Sequence, residues 1–390
     1  MNIPKITIPA CKHFTGYKPC VNYKNCLVEG CQFEDKMHRT GTRILFISLH
    51  SKGSVLRNTS VLRSIKKKYP VSTIYWIVPE SFSKILYNNT FVDNIVFWND
   101  EERMVLRNIE FDILYNVEKS PAACAFANEI NAKEKYGFYL NNDGKVVPAN
   151  EGAMYFYKLG IDDELRFKNN KKSMQEIIHE CMELGYLQNE YVFNFTVEEL
   201  DFISNYKKQN HYDENKFYVG FNTGSSAKFR NKKMTVEQHV MMIEELVKFD
   251  RLKILLTGGK EDTERNLQIY NMLNKDTQKM VLYTPTNLGI RNGACFMSLC
   301  DTVITGDNYG MHLAIALKKM VIVWFGVSPP AETELYGRGE KIIPFGLDCH
   351  PCMKEACPYD LECVDMIDLN RITGLVKKYS LLKPYININN

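Results

Sequence analysis

The chain has 390 residues, of which 45% are hydrophobic and 24% charged, and its formal net charge is +3. This length allows two domains with separate cores, and so small a charge argues against a nucleic-acid partner. No apolar run reaches the ~20 residues that a membrane span needs, and the N-terminal apolar stretch is too short for a signal peptide. We therefore expect a cytoplasmic protein with at most peripheral membrane contact.

The first 40 residues are rich in cysteine. In a reducing compartment, cysteines are expected as metal ligands or buried thiols rather than as disulfides. Four thiolates would suit a small structural knuckle, residues 1–40, around zinc or iron. The spacing lacks a Cys-x2-Cys pair, so a loop of reduced cysteines is the alternative. The four candidate ligands are Cys11, Cys20, Cys26 and Cys31.

Residues 41–205 predict a first α/β domain. The apolar stretch Arg43–Leu49 predicts a buried strand, which is followed by the loop Gly53-Ser54-Val55-Leu56 and by a helix to about residue 69. Strands that alternate with helices indicate a doubly wound parallel sheet, and such sheets bind ligands beyond the carboxyl ends of their strands, where Gly53 lies. Further strands are predicted over 74–78, 95–98 and 111–117.

Residues 206–366 predict a second α/β domain, after a polar, aperiodic connection. The strand Phe217–Phe221 ends in hydroxyl residues, glycine and lysine, which together suit a phosphate site or, alternatively, form a solvated basic turn. After the strand at 253–257, a carboxylate can bind ribose hydroxyls or merely begin a helix. The candidates are Thr223, Ser225 and Lys228 for phosphate, and Glu261 and Glu264 for ribose.

The stretch from Asp301 to Phe325 predicts a strand, a tight turn, a helix and a second strand, which is the βαβ unit of a parallel sheet. The turn places Asp307, Asn308 and His312 at the carboxyl end of a strand. Free N–H groups and the positive end of the helix dipole suit a diphosphate there. The alternative is a histidine that only caps its own helix.

A second cysteine group lies between 349 and 363, within the second domain. It combines a Cys-x2-Cys pair with two further thiols, a set that suits tetrahedral zinc or iron. Four thiolates leave no open position for substrate, so we expect a structural finger, with free thiols as the alternative. The ligands would be Cys349, Cys352, Cys357 and Cys363.

Two of these stretches resemble the heptosyltransferase family of glycosyltransferases, family 9. One reads Gly306-Asp307-x3-Met311-His312-x-Ala314 and continues to Phe325-Gly326 and Glu334–Gly337; the other is the Gly53 loop. The cysteine-rich first segment resembles a leader seen in one branch. The resemblance implies the GT-B fold, in which two Rossmann-like domains face each other across a cleft and the helix of residues 367–390 crosses back to the first domain.

The resemblance also implies inverting transfer of a sugar, with heptose as one candidate, from a nucleotide-diphosphate sugar such as ADP-heptose. The acceptor would be a glycan, glycolipid or protein in lipopolysaccharide or surface-glycan biosynthesis. Asp307 would bind a sugar hydroxyl or order the turn, and His312 would donate to phosphate as the bond to the sugar breaks. No catalytic metal is expected, since no Asp-x-Asp pair stands beside the site. The remaining donor contacts would come from Thr223, Ser225, Lys228, Glu261, Asn308, and the N–H groups of Gly310 and Met311.

Ser54 stands where the family has the aspartate taken as general base, and serine is not a useful base near neutral pH. The base would then be His50, Glu118 or Glu151, each of which also has a plain interpretation as a surface or capping residue. Alternatively, the acceptor needs no strong base, or the protein is a catalytically silent sugar-nucleotide-binding or scaffolding homologue. A metal-dependent redox protein is disfavoured, because each group of four cysteines would fill the coordination positions of its metal.

Overall fold

The structure is a computed structural model that describes residues 8–20, 38–225, 229 and 232–386. By its contacts the chain divides into two compact units. The first comprises the chain up to His50, Ser60–Tyr157 and Ile177–Asn189, and the second comprises Ser51–Thr59, Lys158–Glu176 and the chain from Glu190 onward. The domain limits expected from the sequence stay predictions.

The first unit contains a six-stranded sheet in the order β3-β2-β1-β4-β5-β6. All neighbours pair in parallel except β5 and β6. The central strand β1 is fully buried from Ile44 to Ile47, as expected for a strand with helices on both faces. The strands are β1 Thr42–Ile47, β2 Ser72–Val78, β3 Asn94–Phe97, β4 Phe111–Asn116, β5 Ala132–Leu140 and β6 Val146–Pro148.

The second unit contains another six-stranded sheet, in the order β12-β11-β10-β7-β8-β9, with every neighbouring pair parallel. Its strands β7 and β10 lie side by side in the middle, so their carboxyl ends open at the same edge. The strands are β7 Phe217–Asn222, β8 Leu252–Thr257, β9 Val281–Tyr283, β10 Thr302–Gly306, β11 Met320–Trp324 and β12 Gly339–Ile342.

Fifteen α-helices are assigned within the described residues, numbered in chain order. None of them is long and apolar enough to cross a membrane. They are α1 Lys52–Asn58, α2 Val61–Lys68, α3 Glu80–Ser83, α4 Asp100–Arg107, α5 Pro121–Glu129, α6 Met154–Leu159, α7 Met174–Cys181, α8 Val197–Gln209, α9 Val236–Leu246, α10 Thr263–Met272, α11 Lys275–Gln278, α12 Gly289–Ser298, α13 Tyr309–Ala316, α14 Glu362–Asp365 and α15 Leu369–Ile386.

The helix predicted from the Gly53 loop to residue 69 is two helices, α1 and α2. The break falls at Thr59, whose hydroxyl donates to the Leu56 carbonyl at 2.6 Å and accepts from the Val192 N–H at 2.8 Å. A hydroxyl bond to a preceding carbonyl competes with the helical pattern. The break is also the point where the chain passes from the second unit to the first.

Candidate functional site

The turn between β10 and α13 is held together by Asn308, the N-cap residue of the helix. Its Oδ1 accepts from the N–H groups of Gly310 at 2.7 Å and Met311 at 3.3 Å. Its Nδ2 donates to the Gly224 carbonyl at 2.7 Å, which ties this turn to the loop after β7. The two N–H groups expected to contact phosphate are therefore satisfied by Asn308, and Asn308 itself organises the turn.

Asp307 forms an ion pair with Lys232, whose Nζ lies 2.7 Å from Oδ2. Burial alone would raise the pKa of the Asp307 carboxyl, but the Lys232 ammonium more than compensates, and the pKa is lowered. Asp307 is thus ionised and its charge is balanced. Lys232 follows Lys228 closely in the sequence and is an alternative to it as the predicted lysine of this loop, while Lys228 itself lies outside the described residues.

The two hydroxyl residues in the loop after β7 differ in their surroundings. Thr223 is buried and its hydroxyl bonds to the Asn266 side chain, so it is engaged within the loop. Ser225 is only 7% exposed, yet its hydroxyl has no hydrogen-bond partner among the described residues. A buried hydroxyl without a partner is unusual in proteins, and a phosphate-binding role for Ser225 stays a prediction.

Two neighbouring carboxylates follow β8. Glu261, the predicted ribose ligand, is exposed. Asp262 is 3% exposed, accepts from the Gly259 N–H at 2.9 Å, and has its pKa raised by burial. A Cβ at Gly224 would lie 1.8 Å from its Oδ2, so only glycine fits beside it. The sequence did not single out Asp262, although the Gly258-Gly259 pair before it was a signal for close backbone approach.

His312 lies in the first turns of α13. Its Nδ1 is 3.1 Å from the Tyr191 hydroxyl. Burial, followed by the nearby positive charge of Arg57, lowers the pKa of His312 to about 3. The imidazole is therefore neutral near pH 7, with one nitrogen as donor and the other as acceptor.

Helix α1 packs against α13 within the second unit. A Cβ at Gly53 would lie 2.5 Å from Cδ2 of His312, so a larger residue there would displace the imidazole. Arg57 is one turn further along α1 on the same face, and its buried Nε has no partner among the described residues. The structure thus brings the Gly53 loop and His312 together.

Ser54 is buried at the start of α1, and its hydroxyl lies 3.0 Å from that of Ser51. The N-cap Ser51 also accepts from the Ser54 N–H at 3.1 Å. A serine hydroxyl cannot remove a proton from its neighbour at neutral pH. The arrangement therefore orients the Ser54 hydroxyl without making it a base.

The three alternative bases belong to the first unit. Glu118 is buried, and its Oε1 accepts from the N–H groups of Leu49 at 2.6 Å and His50 at 3.1 Å. Its carboxylate thus holds the end of β1. The side chains of His50 and Glu151 are exposed. A catalytic role for any of the three stays a prediction.

The four cysteines of the predicted finger line one pocket in the second unit, together with His350 and Tyr359. Burial, with the neighbouring thiols adding to the effect, raises the pKa of the Cys363 thiol to about 11. Among the described residues, however, no group of three or more such side chains has an arrangement that could hold a metal ion. The expected closed site is thus not shown among the described residues, and the four thiols that share this pocket stay a prediction.

The N-terminal knuckle lies only partly within the described residues. Cys11 and Cys20 are described as free thiols, the second of them buried. Cys26 and Cys31 lie outside the described residues.

Residues 103–362 match the model of glycosyltransferase family 9 (heptosyltransferase). The chain is 24% identical over 325 residues to lipopolysaccharide heptosyltransferase 1 of Campylobacter coli, an alignment that covers 78% of this chain and 90% of that protein.

Two solved structures share the fold. E. coli ADP-heptose LPS heptosyltransferase II has a TM-score of 0.66 and 15% identity, and the match covers 88% of this chain and 100% of that one. A family 9 glycosyltransferase from Veillonella parvula DSM 2008 has a TM-score of 0.68 and 17% identity, with 90% and 100% covered. The likeness confirms the predicted GT-B fold class, with two α/β sheets whose strands are parallel except for the pair β5 and β6.

Proposed function

We propose that this chain, which belongs to glycosyltransferase family 9, transfers a sugar with inversion from a nucleoside-diphosphate donor to a cell-surface glycan, glycolipid or protein. Its class as a heptosyltransferase-like transferase follows from the family; the donor, the acceptor and the site residues are the proposal. The observation that carries it is the grouping, after β7 and β10, of His312, the Asp307–Lys232 pair and the buried Ser225 hydroxyl, which has no partner among the described residues. A cytoplasmic location remains a prediction.

ADP-heptose is the donor that we propose, because the name of the E. coli protein specifies it. The name of the Campylobacter protein specifies lipopolysaccharide, which supports a lipopolysaccharide or related surface acceptor. In the reaction, an acceptor oxygen attacks the anomeric carbon, and its proton passes to the base, for which His50, Glu118 and Glu151 are the predicted candidates. The bond from that carbon to the diphosphate oxygen breaks, and the nucleoside diphosphate leaves with the electron pair.

The site residues take the following roles in this proposal. The diphosphate lies against the Ser225 hydroxyl, with Lys228 supplying positive charge, while Thr223 shapes the loop. Glu261 binds the ribose, because its carboxylate is exposed, whereas Asp262 is engaged with the Gly259 N–H. Asp307 binds a sugar hydroxyl. His312 donates a hydrogen bond to the leaving phosphate oxygen, an interaction that strengthens as charge develops.

Ser54 supports a second candidate function, that of a sugar-nucleotide-binding homologue without transfer. The Ser54 hydroxyl is held by Ser51 and cannot serve as the base that the family pattern places there. In this alternative, the donor-side residues still bind nucleotide. The two candidates therefore agree on binding and differ on turnover.

The test is calorimetric titration with ADP-heptose, ADP, GDP and UDP, followed by mass spectrometry for released nucleotide. Preferential binding of the adenine nucleotides, lost in His312→Ala, would support the donor site, and release of ADP from ADP-heptose would support transfer. Binding of ADP-heptose without release of ADP, in the presence of a lipopolysaccharide-core acceptor, would favour the silent homologue. Transfer that appears only in Ser54→Asp would show that the wild type lacks activity because this carboxylate is missing. A protein that binds none of the four ligands would contradict the proposal.

We also propose that Cys349, Cys352, Cys357 and Cys363 hold one structural zinc or iron ion, because all four line one pocket. Four thiolates are a set that both metals accept, and such a closed site would stabilise the loop between β12 and α14. Elemental analysis of Cys352→Ser should show about one metal ion fewer per chain than the wild type. The buried Cys124→Ser is the control and should keep its metal. Equal metal content in all three proteins would contradict the assignment.

A further inference from the structure

Tyr191 lies outside every motif that the sequence suggested, yet its hydroxyl is 3.1 Å from Nδ1 of His312. We propose that Tyr191 is a positioning residue, which fixes the neutral tautomer of His312 that carries its proton on Nε2. The inference rests on the proposed role of His312 at the leaving phosphate. It adds the reason why this imidazole presents a donor, rather than a lone pair, to that oxygen.

The direction of the hydrogen bond follows from a third side chain, Gln175. Its Nε2 is 3.2 Å from the Tyr191 oxygen, and Gln175 and Tyr191 are 0% and 5% exposed. An amide nitrogen can only donate, so the Tyr191 oxygen accepts from Gln175 and keeps its own hydrogen for another acceptor. In the proposed arrangement that acceptor is Nδ1 of His312, which then carries a lone pair, and the single imidazole hydrogen is on Nε2.

The opposite edge of the imidazole faces helix α1. A Cβ at Gly53 would lie 2.5 Å from Cδ2 and 3.1 Å from Nε2. Because Gly53 has no side chain, this edge of the imidazole can lie close to α1. In this proposal the hydrogen-bonded series Gln175, Tyr191 and His312 ends in Nε2–H, on the edge of the ring that faces α1.

The wrong tautomer would have a chemical cost. With the hydrogen on Nδ1, Nε2 would present a lone pair to a phosphate oxygen, and two acceptors repel each other. A second proton would make both ring nitrogens donors and remove this repulsion, but the imidazole does not take one near pH 7, because its surroundings disfavour the charged form. The partner of one ring nitrogen therefore decides what the other nitrogen does.

Tyr191→Phe is the test, because it keeps the ring packing and removes only the hydroxyl. We expect kcat for transfer from ADP-heptose to fall about tenfold, roughly what one hydrogen bond contributes, while the Kd for ADP changes less than about twofold. In ¹⁵N-labelled protein, the His312 signals should move from the Nε2–H pattern to a mixture of tautomers. These signals are identified by their loss in His312→Ala.

Tyr336→Phe is the matched control. The Tyr336 hydroxyl also lies near Gln175 Nε2, at 3.4 Å, but not in the direct contact to His312. This variant should keep both kcat and the Nε2–H pattern. Gln175→Met, which removes the donor to Tyr191, should shift the tautomers in the same direction as Tyr191→Phe.

The inference is overturned if Tyr191→Phe keeps the wild-type tautomer, or if kcat stays unchanged while the tautomer shifts. Failure of the proposed function is a different result, since a wild type that binds no nucleotide still gives a readable His312 tautomer. A Tyr191→Phe protein that unfolds would be replaced by Gln175→Met, for which the same two outcomes decide.

Discussion

Methionine in place of Arg291 should lower the free energy of unfolding of the second unit by about 3–5 kcal/mol. Arg291 lies in α12, with its Nε 2.7 Å from Oε1 of Glu199 in α8 and a terminal nitrogen 2.7 Å from the Asn194 carbonyl. Its guanidinium also lies 4.3 Å from the centre of the Phe193 ring. Removing the arginine leaves a carboxylate that is only 16% exposed without its partner, and this uncompensated charge is the main cost.

Hydrogen–deuterium exchange of peptides that contain β10, followed as urea is increased, measures this change in the unit concerned. Lys279→Met is the matched control, because Lys279 pairs with Asp276 at 2.7 Å with side chains 75% and 91% exposed. Such an exposed pair contributes about 0–1 kcal/mol. The double variant Arg291→Met with Glu199→Met should recover much of the loss. Equal losses in Arg291→Met and Lys279→Met would show that burial does not govern these pairs.

Lowering the pH from 7 to 5 should destabilise the second unit by about 2 kcal/mol through His239 alone. His239 is 4% exposed and its Nδ1 lies 2.7 Å from the Thr235 carbonyl. Burial lowers its pKa from the ordinary 6.5 to about 4. Below pH 6.5 the unfolded chain takes up a proton that the folded chain does not, so stability present at neutral pH is lost as the pH falls toward 4. The lowered pKa of His312 adds a loss of the same sign.

Urea unfolding at pH 7, 6 and 5 checks this expectation. His239→Asn is the control, because its amide can still donate to the Thr235 carbonyl but does not titrate. The loss of stability between pH 7 and 5 should shrink by about 2 kcal/mol in this variant. An unchanged pH dependence would mean that His239 takes up its proton without unfolding.

Local patterns predicted the βαβ unit around His312, because strand, turn and helix follow one another within Thr302–Trp324 and each has its own signal. Strand β5 was not predicted, because its first residues, Ala-Lys-Glu-Lys, show no buried face. Within β5, Gly137 has a φ of 101°, and a Cβ there would lie 1.9 Å from the Asn116 carbonyl oxygen in β4. That contact joins two strands and has no local sequence signal.

The candidate site was predictable where a residue acts through its neighbours in the chain, and not where its partner is distant. Asn308 caps the helix that begins with the next residue, a role that its residue type favours, although the sequence suggested a contact with the donor instead. Lys232 and Tyr191 reach Asp307 and His312 from 75 and 121 residues away. The spacing of residues in a single sequence does not indicate which distant residues pair. The ion pair of Asp307 and the partner of the His312 imidazole are therefore seen only in the folded chain.

The packing of α1 on α13 has a consequence for synthesis of the chain. At about 5–20 residues per second, the roughly 250 residues between the two helices take about 10–50 s to make. During this interval α1, in which Gly53 lies against His312 in the folded chain, has no α13 to pack against. Because α1 belongs to the second unit but is made long before α13, that unit cannot fold until α13 has been synthesised. We expect a chaperone to protect the newly made α1 until then.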